Sequence, residues 1–546
     1  MGDHDHHGLP HPVYRLAKNS YSVTELCPLN GNTTVGTVTE AQSVRQGCPL
    51  SIHLFALYIE PLLVRLSNTI SGVELHGENV KVRAFVDDLT ICVSSHEDIL
   101  KACQTIEEFC VWTNARINKN KTKLLGLGGW AIERHSRPGN AAAQKPVAQL
   151  VRAPTTSPIV DGSILDSGFP SSLQSHNISA SIWPVNWVTQ VTQLKLLGIT
   201  FTSNINESIK LNWRTVHHKM IGILSNNRHR NFTFLGRVQF IKQHVISQAI
   251  HLAHVLPCSK TQSNHIRQSF GKFLWSNRRE HPSLNVLIRP RNQGGLGAII
   301  PFQFFHALLV RSLFKSLIHP EGPERAVATY WLAHPLTKHF PNQQQTAAPT
   351  QKAAPSYIKS SSATIVKLLE SGHLTTTAAA STKEIYHSLI STIVQTGRTE
   401  LARPELDWPS IWKWVAKING REGELVWDYY HNQLPTKPRL KSLHLTSDEA
   451  CPICKSGPET DEHLMINCPV RTETSSWLRV QLTKLHCKKP IRDAIYGDIG
   501  SCSNRRSALT LIYAYITTTW TSRTQLKVPT ISELQANWQA LLHNHM

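Results

Sequence analysis

The sequence predicts an α+β fold, and three observations carry that prediction. Arg83-Ala84-Phe85-Val86-Asp87-Asp88-Leu89-Thr90-Ile91-Cys92-Val93 reads as strand, turn, strand, with apolar residues on both sides of two adjacent acids. Residues 54–66 and 99–114 flank this hairpin, and both carry apolar side chains at helical spacing. From residue 205 onward the pattern is mainly helical and includes a Cys/His cluster within 451–468.

In chain order, residues 1–130 form the α+β unit. The helix over 54–66 packs behind the hairpin, and the helix over 99–114 adds a second apolar face (Ile99, Leu100, Ile106, Phe109, Trp112). Residues 131–185 are rich in Ser, Ala, Pro and Gly, and read as a low-complexity insertion or linker without a core of its own. Within them, Val147-Ala148-Gln149-Leu150-Val151-Arg152-Ala153-Pro154 is similar to peptides translated from tRNA-derived repeat DNA. Strand pattern resumes over 186–204, reaching Leu197-Gly198. Residues 205–341 are helical, and the amphipathic part from Phe234 to Pro257 carries Arg237, Lys242 and several His. Residues 342–382, with Gln343-Gln344-Gln345 and Thr375-Thr376-Thr377, read as a flexible linker. Residues 383–546 form a C-terminal helical region. There Trp408, Trp412, Trp414 and Trp427 precede the Cys/His cluster.

Composition narrows the partners. The chain of 546 residues carries 57 Lys and Arg against 37 Asp and Glu, a formal charge of +20. Such an excess favours polyanions, because Lys and Arg contacts to phosphate release counterions. No run of about 20 consecutive apolar residues is read in the sequence, so no membrane partner is expected. The 11 cysteines are scattered, which suits a reducing compartment and one metal site better than a disulfide framework.

Two adjacent acids repel unless a cation sits between them. Mg²⁺ suits them, since it is held by one or two carboxylates together with substrate phosphates. Three further blocks surround the pair: Ser43-Val44-Arg45-Gln46-Gly47-Cys48-Pro49-Leu50-Ser51, Asn118-Lys119-Asn120-Lys121-Thr122-Lys123, and Leu196-Leu197-Gly198-Ile199. In this order the four blocks resemble the palm of a reverse transcriptase of the LINE-type, non-LTR retrotransposon family.

The resemblance implies a partial palm, then a helical thumb and connection region, then a zinc-binding module. It implies RNA-directed DNA polymerisation by two-metal nucleotidyl transfer, with RNA template, DNA primer or target, and deoxynucleoside triphosphates as partners. Asp87 and Asp88 would hold catalytic Mg²⁺, Asp87 being the stronger ligand. Lys121 would sit near the leaving pyrophosphate, Arg45, Gln46 and Gly47 beneath the template base and incoming nucleotide, and Leu197 and Gly198 at the primer end. Two departures from the family pattern stand out: Val86 replaces the usual Ala before the acids, and Ile52 replaces a Pro. His7-Gly8-Leu9-Pro10 resembles the segment just after the family's further metal-binding Asp. The expectation is therefore a 5′-truncated copy with impaired polymerase activity, in which Asp3 and Asp5 do not substitute for that Asp. The alternative is an inactive nucleic-acid-binding remnant. By the same resemblance the chain works in a ribonucleoprotein of cytoplasm and nucleus. Its oligomeric state is not legible.

Cys451, Cys454, His463 and Cys468 follow the spacing C-x2-C-x8-H-x4-C. Three thiolates and an imidazole suit tetrahedral Zn²⁺, and a filled set of four points to a structural ion. Gly457 is expected to let the chain reverse between the ligand pairs, and Glu462 to orient a ligand. The cluster resembles the C-terminal zinc knuckle of the same family.

Overall fold

The computed structural model describes the strand segments 24–26, 29–30, 33–34 and 38–40, then residues 49–127, 147–151, 188–275, 284–340, 354–396, 406–415 and 420–543, apart from residues 76, 320, 377 and 379. Arg45, Gln46, Gly47, Asp3 and Asp5 lie outside the described residues. The chain divides into two compact units. The first comprises residues 1–211 with 319–330, and the second 212–318 with 331–546.

The first unit is α+β. Its short strands β1 (Thr24–Leu26) and β4 (Val38–Glu40) pair, as do β2 (Leu29–Asn30) and β3 (Thr33–Thr34). Helix α1 (Pro49–Thr69) follows, then the small hairpin β5 (Val73–Leu75) and β6 (Glu78–Val80). The main sheet contains β7 (Val82–Phe85), β8 (Asp88–Val93), β9 (Lys123–Leu127), β10 (Val147–Val151) and β11 (Thr189–Val191), in the order β11-β9-β10-β8-β7. Helix α2 (His96–Thr113) lies between β8 and β9 in the chain.

The core of this unit explains why the sheet holds its acids outward. Leu89, Ile91 and Val93 alternate along β8 and are buried against Ile59, Leu62 and Leu66 of α1 and Ile99, Ala102 and Ile106 of α2. The period of two leaves Asp88 and Cys92 on the other side. Helix α2 begins where Ser95 accepts a hydrogen bond from the Asp98 N–H, and ends where Asn114 takes a left-handed conformation at φ 57°.

Two stretches read as structureless are ordered: within the expected linker 342–382, Ser356–Glu370 form a helix that buries Ile358, Ile365 and Leu368. Residues 147–151, read as part of a structureless insertion, form the central strand of the main sheet, pairing antiparallel with both β8 and β9. A strand is defined by the edges it bridges, and both edges lie far from it in sequence. Helix α1 bears on the membrane expectation without overturning it. Residues Leu50–Thr69 are long and apolar enough to cross a membrane by length and composition. The helix nevertheless carries Glu60 and Arg65, and Arg65 pairs with Glu108 of α2 while the neighbouring Leu62 and Leu66 fill the core.

Beyond β11, the hairpin β12 (Gln193–Leu196) and β13 (Ile199–Thr202) leads into α3 (Ile205–Asn226). The next helices are α4 (Phe234–Phe240), α5 (Ser247–Val255), α6 (Lys260–Trp275), α7 (Leu284–Ile288), α8 (Pro301–Leu317), α9 (Pro323–Leu336), α10 (Ser356–Glu370) and α11 (Thr382–Thr396). A single π turn over Ile241–Val245 joins α4 to α5. In the second unit α8 is the central helix, packed by α5, α6, α10 and α11. Its Phe305 meets Trp213 at 4.9 Å between ring centroids.

The C-terminal part contains α12 (Trp408–Val415), α13 (Gly420–Tyr430), α14 (Lys437–Ser442), α15 (Thr472–Lys484), α16 (Ile491–Ile495), α17 (Arg505–Thr524) and α18 (Ile531–His543). Helix α17 is buried on every face, through Leu509, Leu511, Tyr513, Tyr515 and Ile516 among others, and is the spine of this region. The loop at Gly294 is tied to it from a distance. Trp427 Nε1 donates to the Gly294 carbonyl at 2.9 Å, His431 Nε2 lies 2.7 Å from the same oxygen, and Trp408 stacks on His431 at 4.6 Å. Gly294 has φ 84°, and a Cβ there would meet Trp408 at 2.5 Å. Only glycine fits both constraints.

Candidate active site and metal centre

The acids sit at the tip of the β7–β8 hairpin. Phe85 pairs with Asp88, so Val86 and Asp87 form the turn. Val86 has φ 53°. A β-branched residue rarely adopts this conformation, and backbone strain of this kind costs on the order of 1–3 kcal/mol. Asp87 is exposed and Asp88 half-buried, and Phe85 and Val86 beside them are 63% and 51% exposed. The tip is thus a solvent-facing platform with two carboxylates and two apolar side chains.

Lys121 closes a short 3₁₀ turn, Lys119–Lys121, in which the Asn118 side chain accepts the Lys121 N–H at 3.1 Å. Its side chain is exposed. The sheet register places it relative to the acids. Thr90 pairs with Val151, and Val151 with Lys123, so all three lie in one row. Strands β8 and β9 both run antiparallel to β10 and hence parallel to each other. Asp88 and the 3₁₀ turn that ends at Lys121 each lie just before that row, so both stand at the same end of the sheet. Leu197 and Gly198 form the turn of a separate hairpin, both with positive φ, at 47° and 85°. That hairpin is held by Leu194 packed with Leu125 of β9.

The second cluster is complete. One ligand atom from each of Cys451, Cys454, His463 and Cys468 lies within 4.8 Å of all the others, and Cys454 Sγ is 3.2 Å from His463 Nε2. Such separations fit four ligands at about 2.0–2.3 Å from one ion, as zinc requires. The Cys451 N–H donates to the Gly457 carbonyl at 2.8 Å, and the Lys455 N–H to the Cys451 carbonyl at 2.9 Å. Cys468 and His463 flank a π turn over His463–Asn467.

Residues 5–201 match the family of reverse transcriptase (RNA-dependent DNA polymerase), and residues 381–475 match zinc-binding in reverse transcriptase. A Xenopus laevis protein, the transposon TX1 uncharacterized 149 kDa protein, is 31% identical over 119 residues, covering 21% of this chain and 9% of that relative. The two matches and the transposon relative together support a non-LTR retrotransposon reverse transcriptase as the family this chain resembles. Its match therefore spans a small part of the relative's length. The reverse transcriptase match includes both hairpins, Lys121 and β10, and the zinc-binding match includes all four knuckle ligands.

The knuckle differs from expectation in two details. The left-handed residue of the turn is Lys455, at φ 56°, and Gly457 serves through its carbonyl. Glu462 pairs with Arg492 at 3.0 Å and accepts from Asn467, which commits it to an ion pair away from the ligands. For the Cys454 thiol, burial acts upward, but hydrogen bonds from Ser456, Cys451 and His463 outweigh it and bring the thiol down to about 6. Burial pushes Cys468 up to about 11. A metal bound by these four groups would hold both sulfurs as thiolates and release their protons.

Two structural charges, Asp98 and Glu459, escaped the sequence reading, and Arg237 takes a structural role. Asp98 is buried and accepts the N–H groups of Ser71 and Gly72 at 2.9 and 3.3 Å, fixing the chain as it leaves α1. Glu459 is fully buried beside the knuckle and takes both Arg523 Nε and Nη2 at 2.6 Å, plus the Lys437 N–H at 3.0 Å. Arg237 donates to the Phe273 and Leu274 carbonyls at 3.0 and 2.9 Å, and so joins helices in place of standing free for phosphate.

Proposed function

We propose that this chain carries out template-directed DNA synthesis on RNA at the Asp87-Asp88 hairpin. The observation that supports it most is the common placement of Asp88 and Lys121 at one end of a single sheet, with Asp87 at the exposed tip. Asp87 and Asp88 would hold divalent ions, which when bound offset charge on the attacking and leaving oxygens of an in-line displacement. Lys121 would stabilise, or hand a proton to, the departing pyrophosphate. The Leu197-Gly198 turn would support the primer end, and Arg45, Gln46 and Gly47 the templating base and incoming nucleotide. Residues 205–341 would act as thumb and connection region.

A second reading has its own support. Among the described residues, no third acid or histidine joins Asp87 and Asp88 in a metal-sized group. Two carboxylates from one hairpin clamp ions less firmly than a set drawn from separate strands. We therefore expect slow extension, and at the limit a protein that binds nucleic acid through its basic surface and knuckle without copying it. The knuckle would bind one structural zinc ion, and the particle would form in cytoplasm and act in the nucleus.

Primer extension on an RNA template with Mg²⁺, beside the Asp87→Asn/Asp88→Asn double variant, separates the readings. Extension that vanishes in the double variant supports polymerisation at this hairpin. RNA binding with no extension, in zinc-loaded protein, leaves the binding remnant.

A further inference from the structure

Arg471 lies three residues after the last knuckle ligand and is 1% exposed. Its guanidinium makes one hydrogen bond, from Nη1 to the Leu464 carbonyl at 2.9 Å. Nε and Nη2 are buried and have no partner among the described residues. No carboxylate among them pairs with it either. Guanidinium stays charged in proteins, and an isolated buried charge is strongly unfavourable. Some negative charge must therefore reside close by.

The knuckle supplies it. Three thiolates and a neutral imidazole around Zn²⁺ sum to −3 + 2 = −1. The Arg471 N–H donates to the Cys468 carbonyl at 2.9 Å, and its guanidinium donates to the carbonyl of Leu464, the neighbour of His463, so both ends of the arginine are fixed against the ligand stretch. The nearby Glu459 is already neutralised by Arg523. We propose that Arg471 is a positioning residue for the metal centre: the buried counter-ion that balances the net charge of a zinc-loaded Cys451, Cys454, His463, Cys468 set. Each of the two buried charges is tolerable only because of the other. This rests on the reading of the cluster as a zinc site.

The test is zinc affinity of the full chain, read by competition with a chromophoric chelator, for wild type, Arg471→Lys and Arg471→Gln. Gln keeps a donor for the Leu464 carbonyl and loses the charge, while Lys keeps the charge. Arg471→Gln should weaken zinc binding about 10–100-fold, the range for residues supporting metal ligands, with Arg471→Lys within a few-fold of wild type. Equal affinity of Arg471→Gln and wild type overturns the proposal, as does an equal loss in both variants, which would assign the role to the guanidinium's shape. Should a variant unfold, the pairing still decides: unfolding of Gln alone supports a charge role, and unfolding of both opposes it. Absence of stoichiometric zinc in wild type would instead sink the underlying metal reading, and this proposal with it.

Discussion

The Cys451, Cys454, His463, Cys468 knuckle and the Asp87-Asp88 hairpin each gather groups that repel one another, but they do it differently. The knuckle takes four ligands from one short stretch, closes them within 4.8 Å, and surrounds them with buried partners such as Arg471, Glu459 and Leu464. The hairpin holds only two acids, leaves Asp87 exposed, and flanks them with exposed Phe85 and Val86. A structural metal site can be finished by local sequence. A catalytic site stays open and unfinished until substrate and ions arrive, so its residues look less settled in the protein alone.

The largest test of this contrast is metal removal. Structural zinc contributes about 10–16 kcal/mol of apparent binding energy in small zinc modules. Chelation, or Cys468→Ser, should therefore abolish hydrogen-exchange protection over 449–471 and lower the melting temperature of the second unit. Protection in α1 and α2 should stay as it was. If both units lose protection together, the knuckle is not the local device described above.

The acids should behave in the opposite way. Asp87→Asn with Asp88→Asn should remove any RNA-templated extension yet leave stability within about 0.5 kcal/mol, as for surface changes away from buried networks. Chemical denaturation beside the extension assay checks both halves. A large loss of stability would mean that the carboxylates hold the fold, against their exposure at the turn.

Glu459 tests how the closed site is anchored. Its carboxylate and Arg523 form a buried, two-point ion pair from the knuckle to α17. Glu459→Ala leaves the part-buried Arg523 without its partner, at a cost below the roughly 3–5 kcal/mol of a fully buried pair. Chelator-driven zinc release should quicken as well. An unchanged unfolding midpoint would show that the knuckle is held by its metal alone.

These contrasts also sort what could be read from sequence. The acid hairpin and the helix over 99–114 were legible because strand alternation and helical spacing of apolar residues are local signals. Strand β10 was hidden because its five residues sit among Ser, Ala and Pro, and only the edges of β8 and β9 make them a strand. The grip of Trp427 and His431 on Gly294 was hidden likewise, since it joins segments more than 130 residues apart. Four-ligand spacing revealed the knuckle, yet Lys455, not Gly457, holds the left-handed position of its turn. Arg471 and Glu459 gave no signal at all, for charged residues are nearly always exposed unless paired.

The smallest expected effect concerns the two turns of the first unit. Val86 and Leu197 both hold positive φ, at 53° and 47°, and both lie in hairpins that the proposed function uses. An L-residue in this region is about 1–2 kcal/mol less stable, while glycine gives back about 0.5–1 kcal/mol through the entropy of the unfolded chain. Val86→Gly should thus stabilise the first unit by up to about 1 kcal/mol, and more than Leu197→Gly, because a β-branched side chain suffers most there. If Val86 is held strained so that the tip presents Asp87 in one fixed direction, the same change should slow any extension despite the gain in stability. Stability and rate rising together in Val86→Gly would show that the strain serves no purpose at the acids.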